Sequence, residues 1–229
     1  MSDQTSSFVA SATVPESSGA VALLILAAGA STRMGQPKQL LPYRGRTLLR
    51  HAAETAVATS CAPIVLVTGA VHDALAAEVS DLPIWVVRNL EWETGMASSI
   101  RAGLAAVQAA QPRAALIMLS DQPLVTAELL RQLVAEQQQS QAPIVAAAYG
   151  DTVGVPAVFH HTLFPALSQL QGTQGANRLI ASLGNDVGRV PFPAGLLDVD
   201  TPEQYAALLA GSSNLPFSDS SSSSHGPQT

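Results

Sequence analysis

The chemistry available to this chain concentrates where a run of small residues meets two cations. Leu26-Ala27-Ala28-Gly29-Ala30-Ser31-Thr32-Arg33-Met34-Gly35-Gln36-Pro37-Lys38 follows an apolar stretch. With so little side chain at Ala27, Ala28 and Gly29, backbone N–H groups can approach a ligand closely, and successive N–H groups form a nest for an anion. Arg33 and Lys38 add positive charge to the same loop, and Lys38 is the only lysine in 229 residues. A phosphate chain suits such a loop; an ordinary glycine turn with two solvated cations is the alternative. Spacing excludes two familiar phosphate loops. The P-loop needs G-x-x-x-x-G-K-[ST], but here Gly29 and Gly35 are six apart, Lys38 stands three further on, and Gln39 follows. The dinucleotide fingerprint G-x-G-x-x-G is missing too, and the second strand ends in Val67, Thr68 and Gly69 with no acidic residue, which argues against a nicotinamide dehydrogenase.

Three further segments offer complementary groups. Ala115-Leu116-Ile117-Met118-Leu119 runs into Ser120-Asp121-Gln122-Pro123, which puts a carboxylate at the tip of a buried strand. Mg²⁺ favours carboxylate oxygens together with substrate phosphates, so Asp121 is the leading metal-ligand candidate, with a helix-capping role as the alternative. Leu197-Asp198-Val199-Asp200-Thr201-Pro202 carries two more carboxylates that an extended backbone points the same way, before a helix with Thr201 as N-cap and Pro202 at its first position. A plain acidic turn plus cap would read alike. The stretch from Asn89 to Ile100, with Gly95, Ser98 and Ser99, leads from a strand into a helix and would turn N–H groups and hydroxyls toward a crevice.

Those segments need a scaffold, and the chain supplies a recurring one. Short β-branched runs at Val21–Leu26, Ile64–Thr68, Ile84–Val87, Ala115–Leu119, Ile144–Ala148, Val155–Phe159 and Val187–Val190 alternate with helical patterns starting near Thr47, Val71, Ala97, Ala127, Leu163, Ala176 and Pro202. Such alternation implies an α/β domain with a mostly parallel sheet, in which ligands bind beyond the carboxyl ends of the strands. The stripe Leu48, Leu49, Ala52, Ala53, Ala56 and Val57 marks the clearest helix and leaves His51 off it. His51, His72, His160 and His161 have no metal-ligand spacing with Cys61 and read as surface or cap residues.

The loop Leu26-Ala27-Ala28-Gly29-x-Ser31-x-Arg33-Met34-Gly35-x-x-Lys38-x-Leu40-Leu41 resembles the signature of MobA-like nucleotidyltransferases, and within them of molybdenum cofactor cytidylyltransferases; similarity extends from about Val21 to Leu209. The resemblance implies a three-layer, Rossmann-like fold with a mixed sheet. It implies Mg²⁺-dependent transfer of CMP from CTP to the terminal phosphate of molybdopterin, with release of pyrophosphate. Lys38, Arg33 and Asp121 would be catalytic. Leu26, Ala27, Ala28, Gly29, Arg33, Gly35, Lys38, Thr68, Asn89, Gly95 and Ser99 would bind nucleotide, and Asp121 with Asp200 of the D-x-D-T-P block would hold the metal. The cytidylyl branch reads Ala-Ala-Gly where the guanylyl branch reads Ala-Gly-Gly, so Ala27-Ala28-Gly29 ranks CTP before GTP. A guanylyltransferase, another nucleotidyltransferase of the family, and a non-catalytic molybdenum cofactor carrier are the rival readings. A molybdoenzyme or chaperone would be the downstream partner. The chain departs from the family pattern on the acceptor side: Val155 replaces a usual His, and Thr173 and Asn177 stand where many relatives carry Asp and Arg.

Composition is compatible with this reading. The net charge of −6 argues against a nucleic-acid binder, and the single Cys61 rules out an intramolecular disulfide, as expected for a cytoplasmic protein. No apolar run approaches the ~20 residues needed to span a bilayer. The serine-rich ends, 1–18 and 211–229, are expected to be disordered flanks of a domain over 19–210.

Overall fold

The computed structural model describes residues 19–196 and 199–212; the flank 1–18, Leu197, Asp198 and the stretch from 213 onward lie outside the described residues. In chain order the strands and helices are β1 (Val21–Ala27), β2 (Pro42–Tyr43), β3 (Arg46–Thr47), α1 (Leu48–Val57), β4 (Ile64–Thr68), α2 (His72–Glu78), β5 (Trp85–Arg88), α3 (Met96–Val107), β6 (Ala114–Leu119), α4 (Ala127–Ser140), β7 (Ile144–Tyr149), β8 (Thr152–His160), α5 (Phe164–Ser168), α6 (Asn177–Leu183), β9 (Val187–Pro191) and α7 (Pro202–Ser212).

Seven strands form one sheet in the order β5-β4-β1-β6-β8-β7-β9. All its pairings are parallel except the two made by β8, which runs against β6 and β7. The alternation along β1 shows why the sheet needs cover on both sides. Val21, Leu23, Ile25 and Ala27 face one core with Leu49, Leu75 and Leu130 of α1, α2 and α4, while Ala22, Leu24 and Leu26 face a second core with Ile100, Leu167 and Ile180 of α3, α5 and α6. The chain winds outward from β1 to β4 and β5, then crosses back to place β6 on the other side of β1. The strand order therefore reverses at the β1/β6 pair, and a crevice opens beyond their carboxyl ends.

A third, smaller core of Met34, Leu41, Tyr43, Leu48, Val199 and Leu208 joins the glycine loop, the β2–β3 hairpin and α7. The hairpin turns on Arg44 and Gly45, both at positive φ, 49° and 78°, the backbone a two-residue type I′ turn requires. It was not expected from the sequence. Thr201 and Gln204 make a reciprocal capping box at the start of α7: Thr201 Oγ1 accepts from the Gln204 N–H at 3.3 Å, and Gln204 Oε1 accepts from the Thr201 N–H at 2.9 Å.

His51 departs from the surface role expected of it. It is half-buried, packs edge-on against the Tyr43 ring at 5.2 Å, and its Nε2–H donates to the Pro123 carbonyl at 2.9 Å. Burial, reinforced by Arg44 and Arg46, outweighs the Pro123 carbonyl and holds its pKa below 6.5. Because the folded value lies below the unfolded one, this histidine's contribution to stability is complete above 6.5 and is lost as pH falls through the folded value. The melting temperature is therefore expected to drop more between about pH 7 and about pH 5 in the wild type than in His51→Gln; equal slopes in parallel thermal melts would contradict this.

Candidate active site

At the β1/β6 switch point the glycine loop and the Asp121 turn lie side by side, tied by the Ser120 N–H donating to the Leu26 carbonyl at 3.2 Å. The loop's shape is held from beneath by Gln39, which is 1% exposed. Its Nε2 donates to the carbonyls of Gly29 and Ala27 at 2.9 and 3.3 Å, and its Oε1 accepts from the Ser31 hydroxyl at 3.2 Å. Ser31 Oγ in turn accepts from the Lys38 N–H at 3.1 Å. A buried amide with its hydrogen-bonding groups engaged is a rigid brace, because any shift of the loop would leave polar atoms unpaired.

Lys38 is brought between two carboxylates far away in sequence. Its Nζ donates to Asp121 Oδ2 and, at 2.6 Å, to Asp200 Oδ1; Arg33 Nη2 meets Asp200 Oδ2 at 2.8 Å. Asp200 is set there by the Val199 N–H donating to the Asp121 carbonyl at 3.3 Å and by the capping box, where Gln204 Oε1 also accepts from the Asp200 N–H at 2.8 Å. Burial alone would depress the Lys38 pKa, but Asp121 and Asp200 overcome it and hold the ammonium above its ordinary value. The Lys38 hydrogen bond, against the opposing effect of burial and with help from Arg33, keeps Asp200 below the usual carboxylate value. Lys38 and Asp200 are thus both charged at neutral pH. Arg33 is 69% exposed, so its pairing adds little to stability.

Asp121 Oδ1 is buried and has no hydrogen-bond partner among the described residues. An orphaned carboxylate oxygen in a cleft is costly unless a cation uses it. Asp121 and Asp200 together offer hard oxygen donors next to a loop of exposed amides, a set that fits a divalent cation shared with phosphate oxygens. Among the described residues no group of three or more His, Cys, Asp and Glu could hold a metal, so such an ion would depend on its ligand for the remaining donors.

The cleft has a volume of about 380 Å³, and its walls include Leu26, Ala27, Ala28, Gly29, Lys38 and Asp121, with Gly95 and Ser99 opposite. These eight expected residues converge. Gly95, at φ 111°, has no room for a side chain, since a Cβ would lie 2.3 Å from the Gly172 carbonyl. Thr68 and Asn89 behave differently from the nucleotide contacts expected of them, because neither lines the cleft. Thr68 Oγ1 meets His72 Nδ1 at 2.6 Å and donates to the Val87 carbonyl at 3.2 Å. Asn89 Nδ2 donates to the Ser98 and Ser99 hydroxyls at 2.8 and 3.0 Å, and its Oδ1 accepts from the Glu91 N–H at 2.9 Å. Both brace the wall from behind. Gly35, at φ 67°, closes the turn Thr32–Met34 and also lies off the lining. Arg101 points elsewhere, donating to the Leu170 carbonyl at 2.8 Å. A second cavity of about 280 Å³ adjoins the first across Leu26, Met96 and Leu119 and is completed by Val155, Thr173 and Asn177 among others.

This arrangement has relatives. Residues 23–187 match the model of the MobA-like NTP transferase domain. The chain belongs to that family. It is 35% identical over 204 residues to nicotine blue oxidoreductase of Paenarthrobacter nicotinovorans, covering 81% of this chain and 95% of that one. It is 28% identical over 193 residues to molybdenum cofactor cytidylyltransferase of Escherichia coli strain K12, covering 81% and 94%. The fold superposes on Rv0371c of Mycobacterium tuberculosis H37Rv with a TM-score of 0.74 and 32% identity, over 85% of this chain and 100% of that one. A manganese complex of that protein gives a TM-score of 0.69 at 30% identity, with the same coverage. The mixed, mostly parallel sheet with helices on both faces is that of nucleotidyltransferases, and no helix among the described residues is long and apolar enough to cross a membrane.

Proposed function

We propose that this member of the family transfers CMP from CTP to the terminal phosphate of molybdopterin in the cytoplasm, with Mg²⁺ as its metal. The observation that carries the reading is the Lys38 ammonium fixed between Asp121 and Asp200 at the mouth of the braced glycine loop. Attack on the α-phosphorus with pyrophosphate leaving builds negative charge on oxygens, and positioning plus electrostatics supply most of the catalysis. The loop amides from Ala28 onward would hold the phosphate chain, and Lys38 and Arg33 would donate to its oxygens. A phosphate nucleophile is already ionised, so no side chain need remove a proton, and among the described residues no His lines the cleft. Asp121 and Asp200 would hold the Mg²⁺, whose charge would offset that on the phosphate oxygens.

Ala28, 6% exposed in the cleft wall, favours CTP over GTP by adding a methyl where the guanylyl branch has none. The acceptor would enter the adjoining cavity at Val155, Thr173 and Asn177. Pyrophosphate release that requires both CTP and Mg²⁺ and stops on chelation is the expected result; molybdenum cofactor binding with no release from CTP or GTP would instead mark a carrier. The 35% identity to a protein named an oxidoreductase favours a redox reaction as the second reading, and net oxidation or reduction of a substrate in the absence of CTP would establish it.

A further inference from the structure

We propose that the indole of Trp92 is the wall that measures the nucleobase, admitting a one-ring base and penalising a two-ring one; this rests on the nucleotidyl-transfer reading above. The chain has two tryptophans. Trp85 packs against a core, whereas Trp92 belongs to none of the three cores among the described residues and instead lines the cleft, half-buried, together with Ala28 and Gly29. Gly69 shows how tightly it is placed. A Cβ at Gly69 would lie 2.7 Å from Trp92 Cβ and Cγ and 2.4 Å from the Ala28 carbonyl, so no side chain fits there. The glycine thus lets Trp92 settle onto the end of β4, beside the residue on which the base preference depends.

The turn that carries the indole is pinned on both sides. The Glu91 N–H donates to Asn89 Oδ1 at 2.9 Å, the Ser98 hydroxyl lies 3.0 Å from the Glu91 carbonyl, and the Gly95 N–H donates to the Trp92 carbonyl at 3.1 Å. A large aromatic ring on a fixed turn, and the one aromatic side chain among the described residues that line the cleft, sets a size limit and offers a π-surface to a base. Contacts of that kind are worth about 1–3 kcal/mol per base, roughly tenfold or more in binding.

Trp92→Ala is expected to raise the KM for CTP about tenfold and to lower the preference for CTP over GTP by a similar factor, leaving the acceptor KM unchanged. CTP with Mg²⁺ should quench the tryptophan fluorescence of the wild type but not that of Trp92→Phe, in which Trp85 remains. Unchanged CTP KM and unchanged base preference in Trp92→Ala, with the wild type binding CTP by calorimetry, would overturn this inference alone. A wild type that binds neither CTP nor GTP in the presence of Mg²⁺ would overturn it together with the nucleotidyl-transfer reading.

Discussion

Lys38→Ala is expected to reduce pyrophosphate release by about 10²–10³-fold, the usual cost of removing one preorganised charge from a developing oxyanion. No other lysine exists in the chain to substitute for it, and Arg33, 69% exposed, holds its guanidinium on the outer side of Asp200. The loss should fall mainly on kcat, since the loop amides and the Gln39 brace remain to bind the triphosphate. The variant also leaves Asp121, whose side chain is 10% exposed, without its ammonium partner, so it should fold with a stability lowered by about 1–3 kcal/mol. Lys38→Arg would restore the charge but not the compact geometry between two carboxylates, and should recover stability more than rate. Circular dichroism melts beside steady-state kinetics separate the two effects; near-normal turnover in folded Lys38→Ala would remove Lys38 from the chemistry.

Asp121→Asn is expected to be as damaging to activity and far milder for stability. The amide keeps the shape of the side chain but removes the negative charge that a divalent cation needs, and a drop of about 10²-fold or more should persist at saturating CTP. Stability should change little, because wild-type Asp121 already has a buried oxygen without a partner among the described residues and Lys38 retains Asp200. Residues at functional sites commonly sacrifice stability in this way, so a melting temperature equal to or above that of the wild type is the signature of a ligand-binding carboxylate. A collapse of the fold with CTP turnover retained in the surviving protein would mark Asp121 as structural.

Much of this arrangement was legible in the sequence because it depends on local signals. Six of the seven sheet strands were expected within one residue of their observed start, and β8 begins at Thr152, three residues before the expected Val155; strands covered on both faces stand out as continuous apolar runs. The glycine loop and the Asp121 turn were visible for the same reason, both being loops directly after buried strands. Contacts between distant segments were not legible. Lys38 meets Asp121 and Asp200 across 83 and 162 residues, and only the reversal of strand order and the small core around Met34 and Val199 bring them together.

Side-chain direction was the other blind spot. Thr68 and Asn89 sit at strand ends, as nucleotide contacts should, yet their polar groups turn to His72, Val87 and the two serines of α3, where backbone and hydroxyl partners satisfy them. Gln39 carried a faint signal, one polar residue ahead of the apolar pair Leu40-Leu41, but only the folded loop shows its amide beneath Gly29. The β2–β3 hairpin escaped because strands of two residues are too short to have a period, although Arg44-Gly45 is a turn signal.

The most direct test of the account follows the transferred group itself. The full chain is incubated with Mg²⁺, molybdenum cofactor and CTP labelled at the α-phosphate, with labelled GTP in a parallel reaction. The account predicts that label moves from CTP onto the cofactor in step with pyrophosphate release, faster than from GTP, and that Lys38→Ala and Asp121→Asn each slow the transfer by about 10²-fold or more. Label that stays in the triphosphate with either nucleotide, while wild-type protein binds the cofactor, would contradict it.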